Sequence, residues 1–235
     1  MKILVTGSNK GLGLEFVKQY LAQGEEVAAT CRNPEKAGEL KELSAKFPNK
    51  LTILELEVTI SESRRSAYKT VKQEFGSLDM LINNAAIISG GNKDRFALGE
   101  MNREDISRVF DVNSTAPLMM AELFLDLLEK SRSPKIINIS SRMGSISEQS
   151  SSSNYSYSAS KSALNMFTRM LSNDLKKKGI IVLAFHPGHV QTDMGGSMAP
   201  MMPPESIRAM IKCIESLAIE DSGKFLNWDG TEIPW

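Results

Sequence analysis

Only two cysteines, two histidines and 6 % aromatic residues occur among 235, and each shortage removes a class of protein. Cys31 and Cys213 lie far apart with no metal-like spacing, so a disulfide framework or a cysteine-based zinc site is not expected; two reduced thiols in a reducing compartment are. His186 and His189 read as a strand-end residue before Pro187 and a loop residue, with no third ligand at a sensible spacing, so no metal is expected. Charge of one sign is missing too. Lys+Arg and Asp+Glu both total 28, and without a basic block nothing draws nucleic acid or an anionic membrane. No apolar run approaches the length of a membrane span, and "MKILVTGSNKG" is a short strand pattern, not a basic segment followed by an apolar run and a cleavage site. The expectation is a cytoplasmic protein whose partner is a small, roughly neutral molecule.

What the chain does have is alternation. Short β-rich runs ("ILVT", "EVAAT", "LTILELEV", "LDMLIN", "KIINIS", "IIVLAF", "KFLNW") alternate with helix-period segments at 11–23, 34–46, 61–75, 103–130, 155–178 and 204–217. Right-handed crossovers then give an α/β fold, a doubly wound parallel sheet with helices on both faces, and the continuously apolar strands suit burial from both sides. At this length one domain is expected. The serine-rich patch "SISEQSSSSNYSYSAS" reads as a solvated loop ending at a helix start. Ligands of such sheets bind beyond the carboxyl ends of the strands, which is where chemistry should be sought.

After the first strand comes "TGSNKGLG", opening the first helix. Gly7 can take the sharp turn, Gly11 lets backbone approach a pyrophosphate, Gly13 lets helix pack on strand, and the helix start supplies free N–H groups and partial positive charge. No Gly-Lys-Ser/Thr closes the turn, so it is not a P-loop. After the second strand an NAD-selective site wants an acid for the ribose 2′-hydroxyl. The sequence reads "AATCRNP" there, offering Arg32, and Lys10 can point to the same place. Two cations suit a 2′-phosphate, so NADP(H) is expected over NAD(H).

In "NYSYSASKSALN", Tyr157 and Lys161 are four apart and share one helix face, whereas Tyr155 is angularly displaced. A phenol with a pKa near ~10 is a poor acid at neutrality, and an adjacent ammonium lowers that value. "NISSRMG" supplies Ser140 and Ser141 at a strand's carboxyl end to orient the reacting oxygen.

With "TGSNKGLG", "NNAA" (83–86), "DVNS", "YSASK" and "HPGHVQTDM" in this order, the chain resembles the short-chain dehydrogenase/reductase family over almost its whole length. Within it the glycine turn, "ATCRNP", "HPGHVQTDMGG" and "FLNWDGTEIPW" look most like the NADPH-dependent carbonyl reductases and the C-factor and sniffer-type proteins. The resemblance implies a single Rossmann-type domain over 1–235 with about seven strands, Tyr157 as acid/base, Lys161 lowering its pKa and bonding the nicotinamide ribose, and Ser141 on the substrate oxygen with Ser140 its nearest rival. It further implies that Asn113 holds a water in a proton relay. Gly7, Ser8, Asn9, Lys10, Gly11, Leu12, Gly13, Arg32, Val58, Asn84 and Ala85 would line the cofactor's path, with Asn83 packed nearby. Pro187, Gly188, Val190 and Thr192 would face the nicotinamide end.

Two positions depart from the pattern. Ala86 stands where the family has glycine, and Glu57 where it has Asp near the adenine. The stretch "DMGGSMAPMMPPES", 193–206, reads as a lid whose glycines hinge and whose methionines form an adaptable apolar wall. Extra apolar faces in "APLMMAELFLDLL" and "ALNMFTRML" imply a homodimer or a tetramer. The expected activity is NADPH-dependent reduction of an aldehyde, ketone or quinone. The alternatives are an NADP(H)-binding signal protein with little turnover and an alcohol dehydrogenase working oxidatively.

Overall fold

A computed structural model describes residues 1–88, 99, 101–150 and 154–235; part of the serine-rich patch, 151–153, lies outside the described residues. Seven strands form one parallel sheet in the order β3-β2-β1-β4-β5-β6-β7: β1 Lys2–Val5, β2 Glu26–Cys31, β3 Leu51–Glu55, β4 Met80–Asn83, β5 Lys135–Ile139, β6 Ile181–His186 and β7 Phe225–Asn227. The order reverses between β1 and β4, the switch point where such sheets open a crevice beyond their carboxyl ends.

Strand alternation divides the core in two. Ile3, Val5, Val27, Ala29, Met80 and Ile82 face a cluster completed by Phe16 and Tyr20 of α1 (Gly11–Ala22), Leu40 of α2 (Gly38–Lys46) and Ile207, Met210 and Ile214 of α8 (Pro203–Ser216). Leu4, Ala28, Leu81 and Ile136 point the other way, toward Ala67, Val71 and Phe75 of α3 (Ser61–Phe75) and Met120 and Ala121 of α5 (Ala116–Leu123). This double burial is why the strands read as continuous apolar runs.

The helix expected over 103–130 is broken. It runs as α4 (Arg103–Phe110), a π turn Asp111–Thr115, α5 and a short α6 (Leu125–Leu128). Pro117 has no N–H, so the Asn113 carbonyl lacks its i+4 donor and the helix widens there. The segment expected over 34–46 likewise splits into a 3-10 turn Pro34–Lys36 and α2. Helix α7, Tyr155–Leu175, starts inside the serine-rich patch and takes up its last residues.

Candidate active site

One cleft of about 1450 Å³ runs along the carboxyl ends of the strands. All the residues expected at the site line it except Ser8, Gly13, Asn83 and Asn113. Ser8 turns inward because its N–H and its hydroxyl both donate to the Thr30 carbonyl, at 2.8 and 3.0 Å. Gly13 lies beneath the turn, where a Cβ would sit 2.3 Å from the Gly7 oxygen, so only glycine lets α1 approach so closely.

Gly7 at φ 65° makes the left-handed turn that an L side chain resists, and Asn84 braces it by donating through Nδ2 to the Thr6 and Gly7 carbonyls at 2.9 and 3.0 Å. Helix α1 starts here with no side-chain cap and no acid in its first turn. Its first N–H groups and its positive pole therefore face the cleft uncompensated, which fits a phosphate-bearing ligand. Ala86 carries no positive φ, so the departure from glycine leaves no strain. Glu57 lines the cleft, but its Oε1 accepts from the Thr59 hydroxyl at 3.0 Å and is turned toward its own loop. Arg32 is exposed at the end of the cleft beyond β2, with no acidic partner among the described residues. Lys10 is engaged, its Nζ 2.6 Å from Asp193 Oδ2 across the cleft mouth.

At the other end, Tyr157 and Lys161 are buried, at 9 % and 2 % exposure, whereas Tyr155 is exposed. Lys161 Nζ donates to the Ile139 carbonyl at 2.8 Å and lies 5.6 Å from the centre of the Tyr157 ring. Ser141 and Ser140 have separated roles. Ser140 donates to Asn165 Oδ1 at 2.6 Å inside the core, while the Ser141 hydroxyl accepts from the Met143 N–H at 3.2 Å and lies on the cleft with Tyr157, whose pKa it lowers. Burial outweighs the pairing expected from spacing. It raises the Tyr157 phenol to about 12 against the lowering effect of Ser141, and it depresses Lys161 to about 7. The Asn113 side chain is fully buried and spent: Oδ1 accepts from the Ile87 N–H at 2.8 Å, and Nδ2 donates to the Ile87 carbonyl at 2.8 Å and to Ser160 Oγ at 3.1 Å.

Other residues at the site went unread in the sequence. Gly144 ends the turn that follows Ser141, and a Cβ there would meet the Lys161 backbone at 2.8 Å, so the serine turn and α7 pack at the closest distance a backbone allows. Asn154 begins α7 in the left-handed region at φ 53°, and Arg142 lines the cleft beside Ser141 with its Nε 3.4 Å from Glu148. His186 is pushed down to about 4 by burial, then by Arg142 and His189, so it is neutral. Of the stretch 193–206, Asp193, Met194 and Gly195 line the cleft, whereas Met198 and Met202 face solvent. Among the described residues no group of three His, Cys, Asp or Glu converges, and no helix is long and apolar enough to cross a membrane.

Comparison with known proteins agrees with this geometry. The structure of an NADPH-bound carbonyl reductase from chicken fatty liver superposes with a TM-score of 0.93 at 39 % identity, covering 100 % of this chain and 98 % of that one. The carbonyl reductase Sniffer of D. melanogaster gives 0.94 at 33 % identity over 100 % and 99 %. The C-signal protein of Myxococcus xanthus is 39 % identical over 160 residues, 68 % of this chain and 94 % of that protein. The short chain dehydrogenase family matches residues 1–203, and with the glycine turn, the serine, the tyrosine and the lysine gathered on one cleft, the chain belongs to that family of oxidoreductases.

Proposed function

We propose that this chain reduces a carbonyl compound to an alcohol with NADPH, using Tyr157 as the proton donor. The observation that carries the reading is the grouping of Ser141, Tyr157 and Lys161 at one end of a cleft whose other end is an uncapped helix start with two cations. The nicotinamide would supply the hydride, and the remaining work falls to side chains. Ser141 and Tyr157 both donate to the carbonyl oxygen as negative charge develops on it, and Tyr157 yields its proton to the resulting alkoxide. Lys161, in its protonated form, stabilises the phenolate left behind and bonds the nicotinamide ribose. The Tyr157 proton is restored through Lys161 and a water held at Asn113, whose carbonyl lacks its usual donor because residue 117 is proline.

NADP(H) is preferred over NAD(H) on the ground that Arg32 and Lys10 stand where the 2′-substituent would lie; the chicken reductase was solved with NADPH. Val58, Asn84, Ala85, Ala86 and the segment from Pro187 to Thr192 complete the cofactor's bed, with 193–206 as a lid over an apolar substrate. Met166 and Met170 on α7 are 60 % and 55 % exposed, which supports self-association as a homodimer, in the cytoplasm. The C-signal relative favours a second reading, a binding protein that signals without turnover. That reading gives the buried Tyr157 and Lys161 nothing to do.

The test is fluorescence titration with NADPH and NADH, followed by absorbance assays of NADPH consumption over aldehydes, ketones, diketones and quinones. Tight NADPH binding with turnover on any of them is expected. Failure to bind either nucleotide would overturn the proposal, and tight binding with no turnover would shift it to the signalling reading.

A further inference from the structure

The two cations at the adenine end are not equivalent. Arg32 is exposed and has no acidic partner among the described residues, whereas Lys10 is held 2.6 Å from the Asp193 carboxylate. The pair joins the glycine turn to the first residue of the 193–206 segment. A second contact lies beside it: a Cβ on Gly11 would meet Thr192 Cγ2 at 3.5 Å, so residues 192 and 193 rest directly over the turn. Thr192 is fixed within its own loop, its hydroxyl accepting from the Gly195 N–H at 3.0 Å. The segment therefore presents the Asp193 carboxylate as part of an ordered turn.

We infer that Asp193 is a specificity-determining residue that competes with the cofactor's 2′-phosphate for Lys10. The inference rests on the proposed use of NADP(H). A 2′-phosphate takes Lys10 only by displacing the carboxylate, and it must also approach that negative charge. NADH lacks the phosphate and leaves the Lys10–Asp193 pair intact. Wild-type selectivity for NADPH is thus smaller than two free cations would give. Occupation of the adenine end also releases the first residue of the segment that leads over the substrate end, coupling cofactor identity to the position of that segment.

Both side chains are well exposed, at 66 % and 78 %, so solvent and salt screen the pair and the effect is modest. The experiment is a double-mutant cycle on the whole protein: wild type, Asp193→Asn, Lys10→Met and the double variant, titrated with NADPH and NADH at low and at high salt. Asp193→Asn is expected to tighten NADPH about two- to fivefold at low salt, an exposed pair's range. It should leave NADH unchanged, and the gain should shrink at high salt and vanish in the Lys10→Met background. An equal change for both nucleotides would overturn the inference, as would the same gain without Lys10, which would indicate bulk charge in place of competition. Wild-type protein that binds NADH as tightly as NADPH would instead remove the 2′-phosphate reading itself, and this inference with it.

Discussion

Replacing Lys161 by methionine should abolish turnover while stabilising the fold, and the stabilisation should depend on pH in a way that identifies its source. Burial brings the lysine from its ordinary 10.5 to about 7. At about 1.36 kcal/mol per unit, the whole shift corresponds to about 5 kcal/mol against the folded state once both forms are protonated. The sign follows from the depressed folded value. Between pH 7 and 10.5 the unfolded chain binds a proton that the folded chain does not, so stability rises with pH across this window and sits at its floor below it. Lys161→Met removes the titration. It also deprives the Ile139 carbonyl of its donor, at a cost of about 1–3 kcal/mol, but that cost is the same at every pH. The advantage of the variant over wild type should therefore grow by about 2.5 kcal/mol from pH 9 to pH 6. Urea unfolding of both proteins at pH 6, 7.5 and 9 without cofactor measures it. A difference that stays constant across the three would refute the claim that burial depresses this lysine.

Tyr157→Phe should cut turnover by about 10²–10⁴-fold, the span of general acid catalysis, with NADPH affinity nearly unchanged in a fluorescence titration; a variant that keeps most of the wild-type rate removes Tyr157 from the chemistry. The rate of carbonyl reduction should fall as pH rises through about 7, because only protonated Lys161 supports the phenolate, and a profile flat from pH 6 to 9 would contradict this. Arg32→Ala should weaken NADPH by about tenfold or more, the value of a lost charge-assisted hydrogen bond, and NADH little; equal losses by titration would place Arg32 outside the 2′-phosphate site. Gly144→Ala should lower the urea midpoint by the equivalent of about 1–3 kcal/mol, since its methyl would overlap the Lys161 backbone, and should lower turnover with it; unaltered stability and rate would show that the serine turn tolerates displacement.

The sheet was legible because its strands are buried on both faces and its glycine turn lies between a strand and a helix, so period, punctuation and composition all agree. Choosing Tyr157 over Tyr155 needed only helix geometry, and the structure buries one and exposes the other. Ser140 against Ser141 was undecidable by chemistry. The structure separates them through Asn165, a partner 25 residues away that accepts the Ser140 hydrogen bond. The break in the long helix was within reach, because Pro117 four residues after Asn113 removes a specific donor. Asp193 was not, because its role depends on an ion pair with a residue 183 positions earlier. Local pattern carries no information on such contacts.

The electrostatics of the tyrosine and lysine were misjudged for a related reason. Spacing says that an ammonium stands near a phenol, and pairing alone predicts a more acidic tyrosine. The cleft end that holds them also excludes water, and exclusion acts on both partners in the direction of neutrality: Tyr157 upward to about 12, Lys161 downward to about 7. Neither keeps a firm charge at neutral pH in the protein alone. On the proposed function, a variant that recovers the stability lost to a buried lysine should lose the activity.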